Sequence, residues 1–145
     1  MLKRWGLLAT AAFAVLFAAL PAQAARYKQY GDYQIHYNAV PTATLQPEIA
    51  RRYDIVRSRQ RALLTVSVLK KGKPVRARVE AEAVNLNDQL RRIAMREIQE
   101  GGAVYYIGTF GVDDREKLNF RIQVLPRGET QLRELHFQQQ FFTGK

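Results

Sequence analysis

The sequence predicts an all-β fold, a two-layer antiparallel β-sandwich of immunoglobulin-like form, with about seven strands and one short helix near residues 47–53. Three observations predict it. Apolar side chains recur at every second position in run after run, which is the period of a strand with one buried face. Turn-forming residues punctuate those runs at hairpin spacing. No dinucleotide-binding glycine pattern and no heptad repeat breaks the series. An open barrel is the competing architecture.

From the start of the chain, Lys3 and Arg4 precede an apolar run from Leu7 to Leu20, and Pro21 leads into Ala22-Gln23-Ala24. A basic start, a short apolar stretch and small residues at the cleavage positions make a secretory signal peptide, with cleavage expected after Ala24. The run is shorter than the ~20 residues that cross a bilayer, so an uncleaved anchor is disfavoured. No later segment is apolar enough to span a membrane. The expected mature domain, residues 25–145, is long enough to close one hydrophobic core. It must do so without staples, because the chain has no Cys. That excludes disulfides, a thiol nucleophile and thiolate metal sites together. The expected address is the periplasm.

In the mature chain, Tyr33, Ile35 and Tyr37 alternate with Gln34, His36 and Asn38, and this is read as the first strand. Pro41 and Pro47 bracket a connection, and Pro47 suits the first position of a helix, where its missing N–H leaves nothing unpaired. Ile49, Ala50 and Tyr53 give that helix a single apolar stripe for a sheet. Ala62, Leu64, Val66 and Val68 form one alternating run and Val75, Ala77, Val79 and Ala81 another; with Lys71-Gly72-Lys73 between them they read as a hairpin. Asn85 to Gln89 is polar and breaks the pattern. The spacing of Ile93, Met95 and Ile98 slips from two to three and suggests a bulge. Gly101-Gly102 turns the chain into Val104, Tyr106, Gly108 and Phe110. Asp113-Asp114 turns it again into Leu118, Phe120, Ile122 and Val124. Pro126 to Gly128 ends that strand, and Leu135, Phe137 and Phe141 mark the last.

Several of these pieces together resemble the domain of unknown function 4426, a family of small periplasmic proteins of Gram-negative bacteria. They are Tyr37-Asn38-Ala39, then Leu45-Gln46-Pro47-Glu48-Ile49-Ala50, Tyr53 and Arg57-Ser58, then Asn85-Leu86 and Ala103-Val104-Tyr105-Tyr106-Ile107. Thr65 departs from the pattern, in which an asparagine is expected. The resemblance spans nearly the whole mature chain. It implies a periplasmic address and a compact β-sandwich, and it implies no reaction.

Charge is the one quantitative lead to function. Beyond the signal peptide the chain carries 21 Lys and Arg against 13 acids, and residues 51–78 alone hold ten of the bases with Asp54 as their single acid. The excess is therefore local to one segment. A local basic surface attracts anions at long range and binds polyanions in a salt-dependent way. In a periplasm the partners that fit are anionic lipid, lipopolysaccharide and acidic proteins; nucleic acid is in the wrong compartment. The candidate binding residues are Arg51, Arg52, Arg57, Arg59, Arg61, Lys70, Lys71 and Lys73, with Tyr37, Tyr53 and Tyr105 as stacking groups. The competing reading is a solvated, solubilising face that discourages edge pairing.

Catalysis has little support in the residues. The chain has only two His, His36 and His136, and two Ser, Ser58 and Ser67, with no nucleophile-elbow motif around either serine. A small hydrolase or lyase would have to use His36 with Ser58 or a tyrosine, within about 3 Å of each other. No spacing places two metal-binding histidines on one element, and neither a metal nor a cofactor is expected. The expectation is a non-catalytic binding or adaptor module. A factor acting by strand addition at an open sheet edge is a further alternative.

Overall fold

The computed structural model describes residues 26–144, so the expected signal peptide and its cleavage site lie outside the described residues. Ten strands are present among the described residues: β1 (Arg26–Tyr30), β2 (Tyr33–Pro41), β3 (Arg61–Lys70), β4 (Lys73–Pro74), β5 (Ala77–Asn85), β6 (Leu90–Ile93), β7 (Arg96–Glu100), β8 (Ala103–Gly111), β9 (Glu116–Pro126) and β10 (Arg133–Phe141). A 3-10 turn (Thr42–Thr44) and one helix, α1 (Pro47–Arg52), fill the connection from β2 to β3. One sheet runs β1-β2-β3-β8-β7, with β4 paired to the end of β3; the other runs β10-β9-β5-β6. Every pairing is antiparallel. The order β2-β3-β8-β7 facing β10-β9-β5-β6 is the A-B-E-D against G-F-C-C′ arrangement of an immunoglobulin-like domain. Seven strands of that plan are the expected ones, and β1, β4 and β6 are added to them.

The alternating residues do what their period demands. Ile35, Tyr37, Leu64, Val66, Val68, Phe120, Ile122 and Leu135 are buried in one core between the sheets. Phe120 lies at its centre, stacked on Phe137 at 4.4 Å and meeting Phe110 edge-on at 5.3 Å. A second, smaller core lies on the outer face of the first sheet, where Leu45, Ala50, Tyr53 and Ile55 cover Leu63 and Ile107. β3 is therefore buried on both faces over most of its length. Its outward alternation of Leu63, Thr65 and Ser67 reflects that second layer.

Three expectations are corrected. The runs on either side of Lys71-Gly72-Lys73 are not partners in one hairpin. β8 holds the edge of β3 from Arg61 to Val66, so only Leu69 and Lys70 remain for β4, and the chain then passes to the other sheet as β5. The slipped spacing at Ile93, Met95 and Ile98 is not a bulge but a change of sheet: β6 ends at Ile93 beside β5, and β7 starts at Arg96 beside β8. The first strand is also preceded by another, β1, whose residues are mostly exposed and give little apolar alternation.

Gly108 makes that change of sheet possible. A Cβ on it would lie 2.6 Å from the Ala94 carbonyl oxygen and 2.7 Å from both the Ile93 Cγ2 and the Met95 Sδ. The crossover segment therefore lies directly on the backbone of β8.

Candidate functional site

Five of the candidate arginines fall on one corner of the first sheet. α1 starts with Pro47 at its first turn, carries Glu48 there and Arg51 and Arg52 in its last turn, an order that suits the helix dipole. Ile49, Ala50 and Tyr53 face the sheet, which turns Arg51 and Arg52 to solvent. Arg57 is held by the backbone: its Nε donates to the Leu45 carbonyl at 2.9 Å and its Nη2 to the Ala43 carbonyl at 3.1 Å. Arg61 donates to the Thr109 hydroxyl at 3.0 Å, and Arg52 lies 3.6 Å from Glu100. Among the described residues, Arg51, Arg57 and Arg59 have no carboxylate within 4.0 Å.

The lysines of the same basic segment stand elsewhere. Lys70, Lys71 and Lys73 are at the far end of β3, and nine residue steps at ~3.3 Å put them roughly 30 Å from Arg61. The candidate bases thus form two groups at opposite ends of the sheet, with the apolar length of β3 between them, while Arg76 and Arg78 are paired with Glu97 and Glu80. Lys70 sits over the Tyr33 ring, 5.4 Å from its centroid.

The tyrosines have structural surroundings. Tyr37 is buried against Phe137 at 4.7 Å, with the Arg26 guanidinium 5.4 Å from its ring centroid. Tyr53 is buried under α1 and its hydroxyl donates to Glu100; burial, reinforced by that carboxylate, pushes it up to about 12. Tyr105 packs half-buried against the same small core, and burial raises it too. Its neighbour Tyr106 points the other way, into the main core. There its hydroxyl accepts from the Ala77 N–H at 2.7 Å and donates to Glu97 at 2.9 Å. Burial, with Glu97 beside it, pushes that hydroxyl up to about 12, so it acts as a neutral bridge between the sheets.

The residues available for acid–base or nucleophilic chemistry are apart. The His36 Nε2 is 3.2 Å from the Gln34 side-chain oxygen, its ring packs on Tyr27 at 5.3 Å, and burial lowers its pKa, leaving it neutral at neutral pH. The Ser58 hydroxyl accepts from the Gln60 N–H at 3.1 Å, and the Ser58 carbonyl is bound by Thr42, beyond the end of β2. Five strand steps from His36 to Pro41 cover roughly 17 Å, far beyond the reach of proton transfer. His136 is exposed and paired with Glu134 at 2.9 Å. Among the described residues no three His, Asp or Glu side chains converge as metal ligands, and no helix is long and apolar enough to cross a membrane.

A cleft of about 530 Å³ was not anticipated. It lies where β6 leaves the second sheet and is lined by Val79 to Glu82, Arg92 to Met95, Arg121 and Gln123. The slip in spacing at Ile93, Met95 and Ile98 was its trace in the sequence.

Solved structures share this fold. A crystal structure of a DUF4426 family protein from Pseudomonas aeruginosa PAO1 superposes with a TM-score of 0.75 at 32% identity, covering 84% of this chain and 98% of that one. FetP of uropathogenic Escherichia coli strain F11, including a copper-bound variant, superposes at 0.58 with 5% identity, covering 81% of this chain and 95% of that one, a likeness of fold alone. No curated protein matches the sequence. The family model for DUF4426, a domain of unknown function, matches residues 27–144. With that match and the 32%-identical relative, the chain belongs to the DUF4426 family.

Proposed function

We propose that this protein is an exported, non-catalytic binding module of the periplasm, and that the corner of Arg51, Arg52, Arg57, Arg59 and Arg61 docks on a phosphate-bearing envelope polyanion such as lipopolysaccharide or anionic lipid. One observation carries the reading: Arg51 and Arg59 are exposed, Arg57 between them in sequence is held by the backbone, and none of the three has a carboxylate partner among the described residues. Guanidinium groups without a carboxylate partner suit phosphate oxygens, and the forks of Arg51 and Arg59 match the geometry of those oxygens. The separation of His36 from Ser58 favours this reading over a hydrolase or lyase. The copper bound by the FetP variant is not carried over, since the likeness to it is of fold alone.

The test is binding to anionic vesicles and to lipopolysaccharide across a salt series. The protein is expected to bind at low ionic strength and to lose affinity steeply between about 50 and 200 mM salt. The Arg51→Gln, Arg59→Gln double variant is expected to bind roughly thirtyfold more weakly, at ~1 kcal/mol per cation near an anionic surface. Arg57 is left intact because its loss would also loosen the loop it holds. Absence of binding at low salt, or equal binding by the variant, sinks the reading.

A further inference from the structure

β5 is covered unevenly on its two sides. β9 pairs with it from Ala77 to Asn85, whereas β6 pairs only from Ala81 to Val84. Hydrogen bonds on either side show which backbone groups face the uncovered edge. The Arg127 N–H donates to the Arg76 carbonyl, so even-numbered positions face β9. The Asn85 N–H donates to the Gln89 carbonyl, and the Ala77 N–H to the Tyr106 hydroxyl, so odd-numbered positions face the other way. By alternation the N–H and C=O of Val79 face that side as well. No strand among the described residues pairs with Val79 there. The crossover pressed onto Gly108 takes the chain from Ile93 to the first sheet at Arg96, and the cleft of about 530 Å³, lined by Val79, Ile93 and Met95 among others, lies beside this uncovered stretch of β5.

We propose that this gap in the track of β6 is a strand-addition site for an extended peptide of a partner protein. The peptide runs antiparallel to β5 and takes up the register where β6 breaks off. β6 itself shows the side-chain rule, with Arg92 opposite Glu82 and Ile93 opposite Ala81. Continuing it, the next three peptide residues stand opposite Glu80, Val79 and Arg78. The charges at Glu80 and Arg78 lie on the outer face, with side chains 61% and 75% exposed, and pair with each other at 3.4 Å in the free protein, an exposed pair weak enough for a peptide's opposite charges to displace. The middle residue faces inward, towards Val79, Ile93 and Met95. The peptide that fits therefore reads basic, apolar, acidic in chain order, and its middle residue exchanges both backbone bonds with Val79. This surface is separate from the arginine corner, and the inference stands whether or not that corner binds polyanions.

The probe is a capped heptapeptide with Lys-Val-Glu at its centre, compared with its Glu-Val-Lys counterpart and with a version N-methylated at the central valine. In the free protein the Val79 amide is expected to exchange with solvent faster than the Arg78 and Glu80 amides, which are bonded to β9. The Lys-Val-Glu peptide is expected to bind saturably at or below roughly millimolar concentration and to slow Val79 exchange. The charge-reversed peptide should bind roughly threefold to tenfold more weakly, and the Arg78→Glu, Glu80→Arg double variant should invert that preference. Val79→Pro removes the edge-facing donor while leaving the β9 ladder intact, and should abolish binding. Should that variant fail to fold, loss of binding on N-methylation reports the same bond. Binding unaffected by N-methylation overturns the proposal, as does no binding by the unmethylated peptide. A peptide-free dimer that Val79→Pro dissociates also overturns it, by showing that a second copy fills the gap.

Discussion

At the scale of single residues, the Glu116 carboxylate shows how this chain makes buried charge tolerable. Its side chain is 8% exposed and accepts from both Arg91 nitrogens at 2.6 and 2.7 Å, from the Asn85 amide at 2.9 Å and from the Asp113 N–H at 3.0 Å. Burial works to raise its pKa, and Arg91 with the other donors outweighs burial, so the folded value lies below the ordinary one. A depressed carboxylate stabilises the fold above its unfolded pKa, near ~4.3, and loses that contribution as the pH falls through the folded value. Denaturant titrations between neutral pH and about pH 3 should therefore show stability falling on acidification in wild type and falling less in Glu116→Gln. Equal pH slopes would assign the acid sensitivity to other groups. Its partners come from three separate segments, Asn85, Arg91 and Asp113, which only the folded chain brings together. Arg57 was legible only as charge: that two carbonyls of the β2–β3 connection hold it depends on how that connection folds back.

At the scale of elements, α1 was readable because its signals are local. Pro47 starts it, and Ile49, Ala50 and Tyr53 give it one face. The change from β6 to β7 was not readable in the same way. A slip from period two to period three marks a departure from one strand, and a bulge and a change of sheet begin alike in sequence. Gly108, eleven residues beyond Glu97 and on another strand, decides between them by letting the crossover lie against β8. Gly108→Ala should therefore cost about 1–3 kcal/mol, as overpacked sites do, since one of the atoms it meets is a backbone oxygen with no rotamer to adopt. Urea unfolding checks this; an unchanged midpoint would mean that the crossover yields freely. The supposed hairpin across Lys71-Gly72 failed for a related reason, because β8 occupies the edge of β3 that β5 would have needed.

At the scale of the whole molecule, a chain without Cys depends on packing between two sheets. Phe120 is the centre of that packing, 1% exposed and in contact with three other aromatic rings. Phe120→Ala is expected to destabilise the protein by about 3–5 kcal/mol, the range for emptying a large aromatic site. Calorimetry should show a lower transition temperature and still a single transition, because one core joins both sheets. Two separate transitions would mean that the sheets hold together independently.

The sequence by itself determined the fold class, the helix and most inward-facing residues, since period, turn chemistry and capping act between near neighbours along the chain. It also determined that a strong positive charge lies within residues 51–78. Only the tertiary structure decided that the arginines of residues 51–61 and the lysines of residues 70–73 stand at opposite ends of β3, and that β5 has an uncovered edge beside a cleft. The reason is pairing: which strand takes which edge is settled by competition among segments distant in sequence, and an edge is open only when every rival has paired elsewhere.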